Sequence, residues 1–114
     1  MANRNSSTFV EIIQRTCELR ELFKRLESPE WCVETLAVEL MAEVGTLADS
    51  IMIAGQRRKP RRGSAAPDLG DDIADVLFVL LVLAAECNVD VEAAYLEMIE
   101  ATRKKLSAGA NDAE

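Results

Sequence analysis

DLGDDIADVLFVLLVLAAECNVD, residues 68–90, is the stretch around which the rest of the chain can be placed. Ten apolar residues run unbroken from Val76 to Ala85, and Asp68, Asp71, Asp72 and Asp75 stand just ahead of them. Spanning a bilayer takes about 20 apolar residues, so this run predicts a helix buried on most sides in a small helical protein. Asp72 and Asp75, three apart, share one face of that helix, with Asp68 a turn earlier. Asp75 lies between Ala74 and Val76, which places its carboxylate at the edge of the core. An ionised carboxylate there requires a pairing cation or a bound metal.

Working outward, the segment before this helix reads QRRKPRRGSAAP from Gln56 to Pro67, with two prolines, a glycine and no apolar periodicity. It predicts a loop, and Asp68 is placed to cap the helix that follows. Upstream, a helix is expected from about Cys32 to Ala54, closed by Gly55. Leu36, Leu40, Val44, Leu47 and Ile51 form its core stripe, while Glu39, Glu43, Thr46 and Ser50 occupy the neighbouring face. The first helix begins near Ser7 or Thr8, with Thr8 and Glu11 at capping-box spacing, and runs to about Leu26 before Ser28-Pro29-Glu30 interrupts it. A fourth starts after Asp90 and directs Val91, Ala94, Tyr95, Met98, Ile99 and Thr102 inward, with Arg103, Lys104 and Lys105 in its last turn. The expected architecture is all-α: a four-helix bundle over residues 1–106 and a frayed tail over 107–114. The third helix is apolar nearly all round, so a second chain is expected to cover part of it, giving a homodimer or homotetramer.

A chain of 114 residues makes one domain with a real core, and its aromatics are few. Phe9, Phe23, Phe78 and Tyr95 are expected in that core. The net charge of -7 argues against a nucleic-acid polymer as partner, although five cations fall between Arg57 and Arg62. Three widely spaced cysteines without any histidine fit neither a zinc site nor a disulfide framework; buried, reduced thiols are the expectation. The polar N-terminus lacks a signal-peptide apolar region, so the default compartment is the cytoplasm, with no membrane partner.

Two helices thus present acids toward each other: Glu39 and Glu43 on the second, Asp72 and Asp75 on the third. Several carboxylates in one groove suit a hard divalent cation such as Mg²⁺. Solvated flank charge is the plain alternative.

Glu43-Val44-Gly45-x-Leu47-Ala48, a loop, and then Asp72-Ile73-Ala74-Asp75-Val76-Leu77 resemble the MazG-like and dCTPase-like all-α nucleotide pyrophosphohydrolases over roughly residues 31–105, as does the ending Ala84-Ala85-Glu86-Cys87-Asn88-Val89-Asp90. The resemblance implies a Mg²⁺-dependent enzyme (Mn²⁺ being the other candidate ion) that splits a nucleoside triphosphate into monophosphate and pyrophosphate and assembles as a dimer or dimer of dimers. It places Glu43, Asp72 and Asp75 as metal ligands and catalytic residues. Asp72 stands for a glutamate one methylene longer, and Thr46 and Ala42 fall where the family carries further glutamates. Met98, Ala101 and Thr102 take positions where a lysine and an asparagine face the nucleotide. Trp31 is either a core-packing residue or the candidate base-stacking one, Glu39 is a candidate replacement ligand, and Arg57, Arg58, Arg61 and Arg62 are either candidate phosphate contacts or part of a solvated loop that balances the acids. The departures leave two alternatives open: a catalytically impaired relative that binds nucleotide without turnover, and a helical oligomerisation protein.

Overall fold

The computed structural model describes residues 8–27 and 32–112. Four helices follow in order: α1 (Phe9–Glu27), α2 (Val33–Ala54), α3 (Leu69–Glu86) and α4 (Val91–Asp112); there is no strand among the described residues. No described helix is long and apolar enough to cross a membrane.

The helix ends are where short polar side chains put them. Thr8 Oγ1 accepts from the Glu11 backbone N–H at 3.1 Å, opening α1. The Asp68 carboxylate accepts from the Asp71 N–H at 3.0 Å and that of Asp90 from the Ala93 N–H at 3.1 Å, opening α3 and α4. Such oxygens satisfy N–H groups that a helix start leaves without partners. Between α3 and α4 the backbone turns at Asn88, whose φ of 55° lies in the left-handed region that asparagine tolerates. The Val89 N–H there closes on the Ala84 carbonyl at 2.9 Å.

Helices α2 and α3 form the main packing pair, and α1 lies against α3. Leu36 of α2 clusters with Val79 and Val82 of α3, while Glu43, two turns further along α2, meets Asp75, two turns earlier in α3. The two helices are therefore antiparallel. Leu40, Phe78 and Leu83 pack around that cluster. Phe23 of α1 meets Phe78 edge-to-face, ring centroids 6.1 Å apart, the arrangement favoured by the ring quadrupoles. Arg20 of α1 pairs with Glu86 at the far end of α3, closing that side of the packing.

Burial is sparse. Only Leu36, Val79, Leu81 and Val82 are buried among the described residues. Several expectations change accordingly. Val44 and Ile51, placed on the α2 core stripe, are exposed, because no helix of the same chain covers that edge. Helix α4 makes no substantial packing with α1–α3; Ala93–Gly109 are all exposed, Tyr95 by 55%. The face expected to point inward therefore has no partner in its own chain, and one protomer is a packed three-helix body with a fourth helix standing off. α4 also continues through 107–112, the segment expected to fray. The thiols of Cys32 and Cys87 are exposed and that of Cys17 is half-buried, so the cysteines do not fill a core; all three are free.

Candidate functional site

Antiparallel packing of α2 against α3 gathers the acids. Helix α3 carries Asp71, Asp72 and Asp75 at its start, where three- and four-residue spacing puts them on one side. One carboxylate oxygen from each lies within 4.8 Å of the others. Glu43 faces them from α2, and Glu39 lies one turn earlier on the same helix. The Glu43 carboxyl is held above its ordinary value of 4.5, first by partial burial, then by the Asp75 charge, by Glu39 and by the Asp72 charge. Asp71 is raised by Asp75 first, then by desolvation, Asp68 and Asp72. Among the described residues no lysine or arginine forms an ion pair with Glu39, Glu43, Asp71, Asp72 or Asp75.

Glu39, Glu43 and Asp75 rim an open cleft of about 850 Å³ between α1, α2 and α3, which Asp71 and Asp72 do not line. Its walls are mainly apolar, with Leu19 and Phe23 from α1, Leu36 from α2 and Phe78 from α3; Glu39, Glu43 and Asp75 stand at one side. No residue of α4 lines it, so Met98, Ala101 and Thr102 are away from the acids, on an exposed helix.

The candidate residues thus divide. Glu39, Glu43, Asp72 and Asp75 are brought together. Asp75 is exposed rather than set into the core edge, so water solvates it and burial does not by itself demand a cation. Asp71 joins the cluster although the metal-ligand reading left it out; its four-residue spacing to Asp75 was the available signal. Thr46 is exposed one turn beyond Glu43 and adds no carboxylate. Trp31 lies outside the described residues. In the basic loop, Arg58 is paired with Asp49, and with Arg57, Lys59 and Pro60 it borders a separate hollow of about 390 Å³ that shares no lining residue with the cleft. Arg61 and Arg62 are exposed and line neither.

The acids fit a hard cation in chemistry and nearly in geometry. All the donors are carboxylate oxygens, as Mg²⁺ prefers. Adjacent ligands of an octahedral Mg²⁺ are about 3 Å apart, so the oxygens of Asp71, Asp72 and Asp75, within 4.8 Å of one another, would have to close in to share one ion. No protein-family model matches the chain, and no curated protein matches it.

Proposed function

We propose that the chain is a Mg²⁺-dependent nucleoside triphosphate pyrophosphohydrolase of the cytoplasm, converting a (d)NTP to its monophosphate and pyrophosphate and so cleansing the nucleotide pool. The observation that carries the reading is the meeting of Glu43 from α2 with Asp72 and Asp75 from α3, unpaired by any described cation, beside an apolar cleft. The resemblance of these segments to the MazG-like family gives the reading its reaction.

Glu43, Asp72 and Asp75 would hold the ion, with Asp71 as a fourth acid beside them and Glu39 one turn from Glu43. Bound Mg²⁺ or Mn²⁺ supplies charge neutralisation for the phosphates and a positioned water. The protein's part is to orient. A triphosphate is repelled by these acids alone, so they select the metal complex of the substrate rather than the free nucleotide. The apolar cleft, within the size range of small-molecule sites, takes the base and sugar and excludes water from one side. The carboxylates that would hold the ion would also position the water that attacks phosphorus. Arg57, Arg61 and Arg62 are free of the Asp49 pairing that engages Arg58, and they are the loop's candidate phosphate contacts.

The test is pyrophosphate release from a panel of standard and modified (d)NTPs with Mg²⁺ or Mn²⁺. Release from at least one member, abolished in Asp75→Asn, is expected; no release from any member by folded protein would remove the proposal. One observation favours a second reading, that of a relative which binds nucleotide without turnover. Thr46 brings no carboxylate, and Met98, Ala101 and Thr102 stand away from the cleft. Tight nucleotide binding without hydrolysis, with activity gained in Thr46→Glu, is the outcome that would select it.

A further inference from the structure

The cleft between α1, α2 and α3 has two chemically different ends. Antiparallel packing sets Glu43 level with Asp75 at one end and Leu36 level with Val79 and Val82 at the other. From Asp75 to Val82 the cleft follows α3 for about 10 Å. Beyond the acids its wall is aliphatic and aromatic, with Leu19 and Phe23 reaching in from α1.

What this wall lacks is a hydrogen-bond donor. Among the described residues, Thr16 and Thr35 are the only polar side chains that line it besides the acids. The Thr16 hydroxyl donates to the Ile12 carbonyl at 2.8 Å, and that of Thr35 to the Cys32 carbonyl at 3.0 Å. Ionised Glu39, Glu43 and Asp75 accept hydrogen bonds and cannot donate. No described lysine or arginine lines the cleft or pairs with these acids. The polar end therefore complements a group that is positive and all donor, and the other end complements a hydrocarbon.

We infer that the cleft binds a hydrophobic ammonium ion, a primary amine on an aliphatic tail, with its head among Glu39, Glu43 and Asp75 and its tail along Leu19, Leu36 and Phe78. An ammonium carries three donors and no acceptor, and the three carboxylates at one end receive them as charge-assisted hydrogen bonds. Glu39 and Asp75 are exposed, so the head keeps part of its hydration and the ion pair escapes the full desolvation cost of a buried one. The tail meets the stretch where Leu36 and Val82 are buried. The volume of about 850 Å³ lies in the range of small-molecule sites. Neither metal nor nucleotide takes part, so the inference stands whether or not the chain hydrolyses nucleotides.

Chain length supplies the test. Each buried methylene strengthens binding about fourfold. A reach of about 10 Å takes a zigzag of roughly eight carbon–carbon bonds. Straight-chain primary alkylammonium ions, from butyl to dodecyl and below their micelle concentrations, are titrated calorimetrically into the full chain in metal-free buffer at physiological ionic strength. One site per chain is expected, with affinity rising about fourfold per methylene to roughly eight carbons and levelling beyond. Octanoate, with the tail and the wrong charge, should bind at least tenfold more weakly than octylammonium. So should spermidine, whose charge without a tail controls for the general attraction of cations to a chain of net charge -7. Glu39→Gln and Asp75→Asn should each weaken octylammonium binding about tenfold while far-UV circular dichroism keeps its helical signal. Affinity independent of chain length, octanoate or spermidine binding as well as octylammonium, or indifference to both substitutions would overturn the inference.

Discussion

Replacing Leu36 with alanine tests the packing on which the acid cluster depends. Leu36 is 3% exposed and reaches Val79 and Val82 across the α2–α3 contact, in the register that carries Glu43 to Asp75. Enclosed Leu→Ala changes cost about 2.7–5 kcal/mol, the upper part of the range reflecting the void left behind. Leu36 borders the open cleft, so the space it vacates joins solvent rather than remaining empty. The transfer term then dominates, and a loss of about 2–3 kcal/mol is expected. For a domain of this size the melting temperature should fall by about 8–13 °C. Thermal melts followed by circular dichroism, at one fixed protein concentration, are the assay. Leu96→Ala, at a site 60% exposed on α4, is the matched control and should stay within about 0.5 kcal/mol. A loss below about 1 kcal/mol for Leu36→Ala would refute the α2–α3 register and, with it, the gathering of Glu43 and Asp75.

Other outcomes follow from the charged groups. Since Glu43 holds its proton more tightly in the folded chain than in the unfolded one, its contribution to stability is full below its ordinary value of 4.5 and is lost as pH rises through the folded value; in metal-free buffer, the melting-temperature advantage of Glu43→Gln should therefore grow from pH 4 to pH 7. Arg20→Ala should cost about 1.5–3 kcal/mol in chemical denaturation, since it strips Glu86 of a charged partner with the Arg20 side chain only 12% exposed. Arg58→Ala should cost no more than about 1 kcal/mol in the same measurement, because its pair with Asp49 lies in solvent. Thr46→Glu should tighten Mg²⁺ binding by about tenfold in calorimetric titration, and unchanged affinity would place the ion away from that turn.

Much of the fold was legible because the chain announces its own helix ends. Thr8, Asp68 and Asp90 each stand where a short oxygen-bearing side chain can close a helix start, and each does so. The pairing of Glu43 with Asp75 was legible for a related reason: both lie on flanks of amphipathic helices that meet antiparallel. Helical periodicity, however, says that a face wants cover and not who covers it. Tyr95, Met98 and Ile99 have core spacing and yet lie in solvent, and Val44 and Ile51 sit just outside the strip that α3 reaches. Asp71 escaped for the opposite reason. Its neighbour Asp72 matches the family's motif, and only the helix geometry shows that Asp71 is the one a full turn from Asp75.

The turn at Asn88 has a mechanical consequence. Helix α4 has 22 residues and is therefore about 33 Å long, and it leaves α3 through the short turn 87–90, its pivot, where Asn88 is left-handed. A change of about 10° at that pivot moves the far end by about 6 Å, more than the rise of a full helical turn. The direction of α4 is thus set by the backbone angles of residues 87–90 rather than by packing against α1–α3.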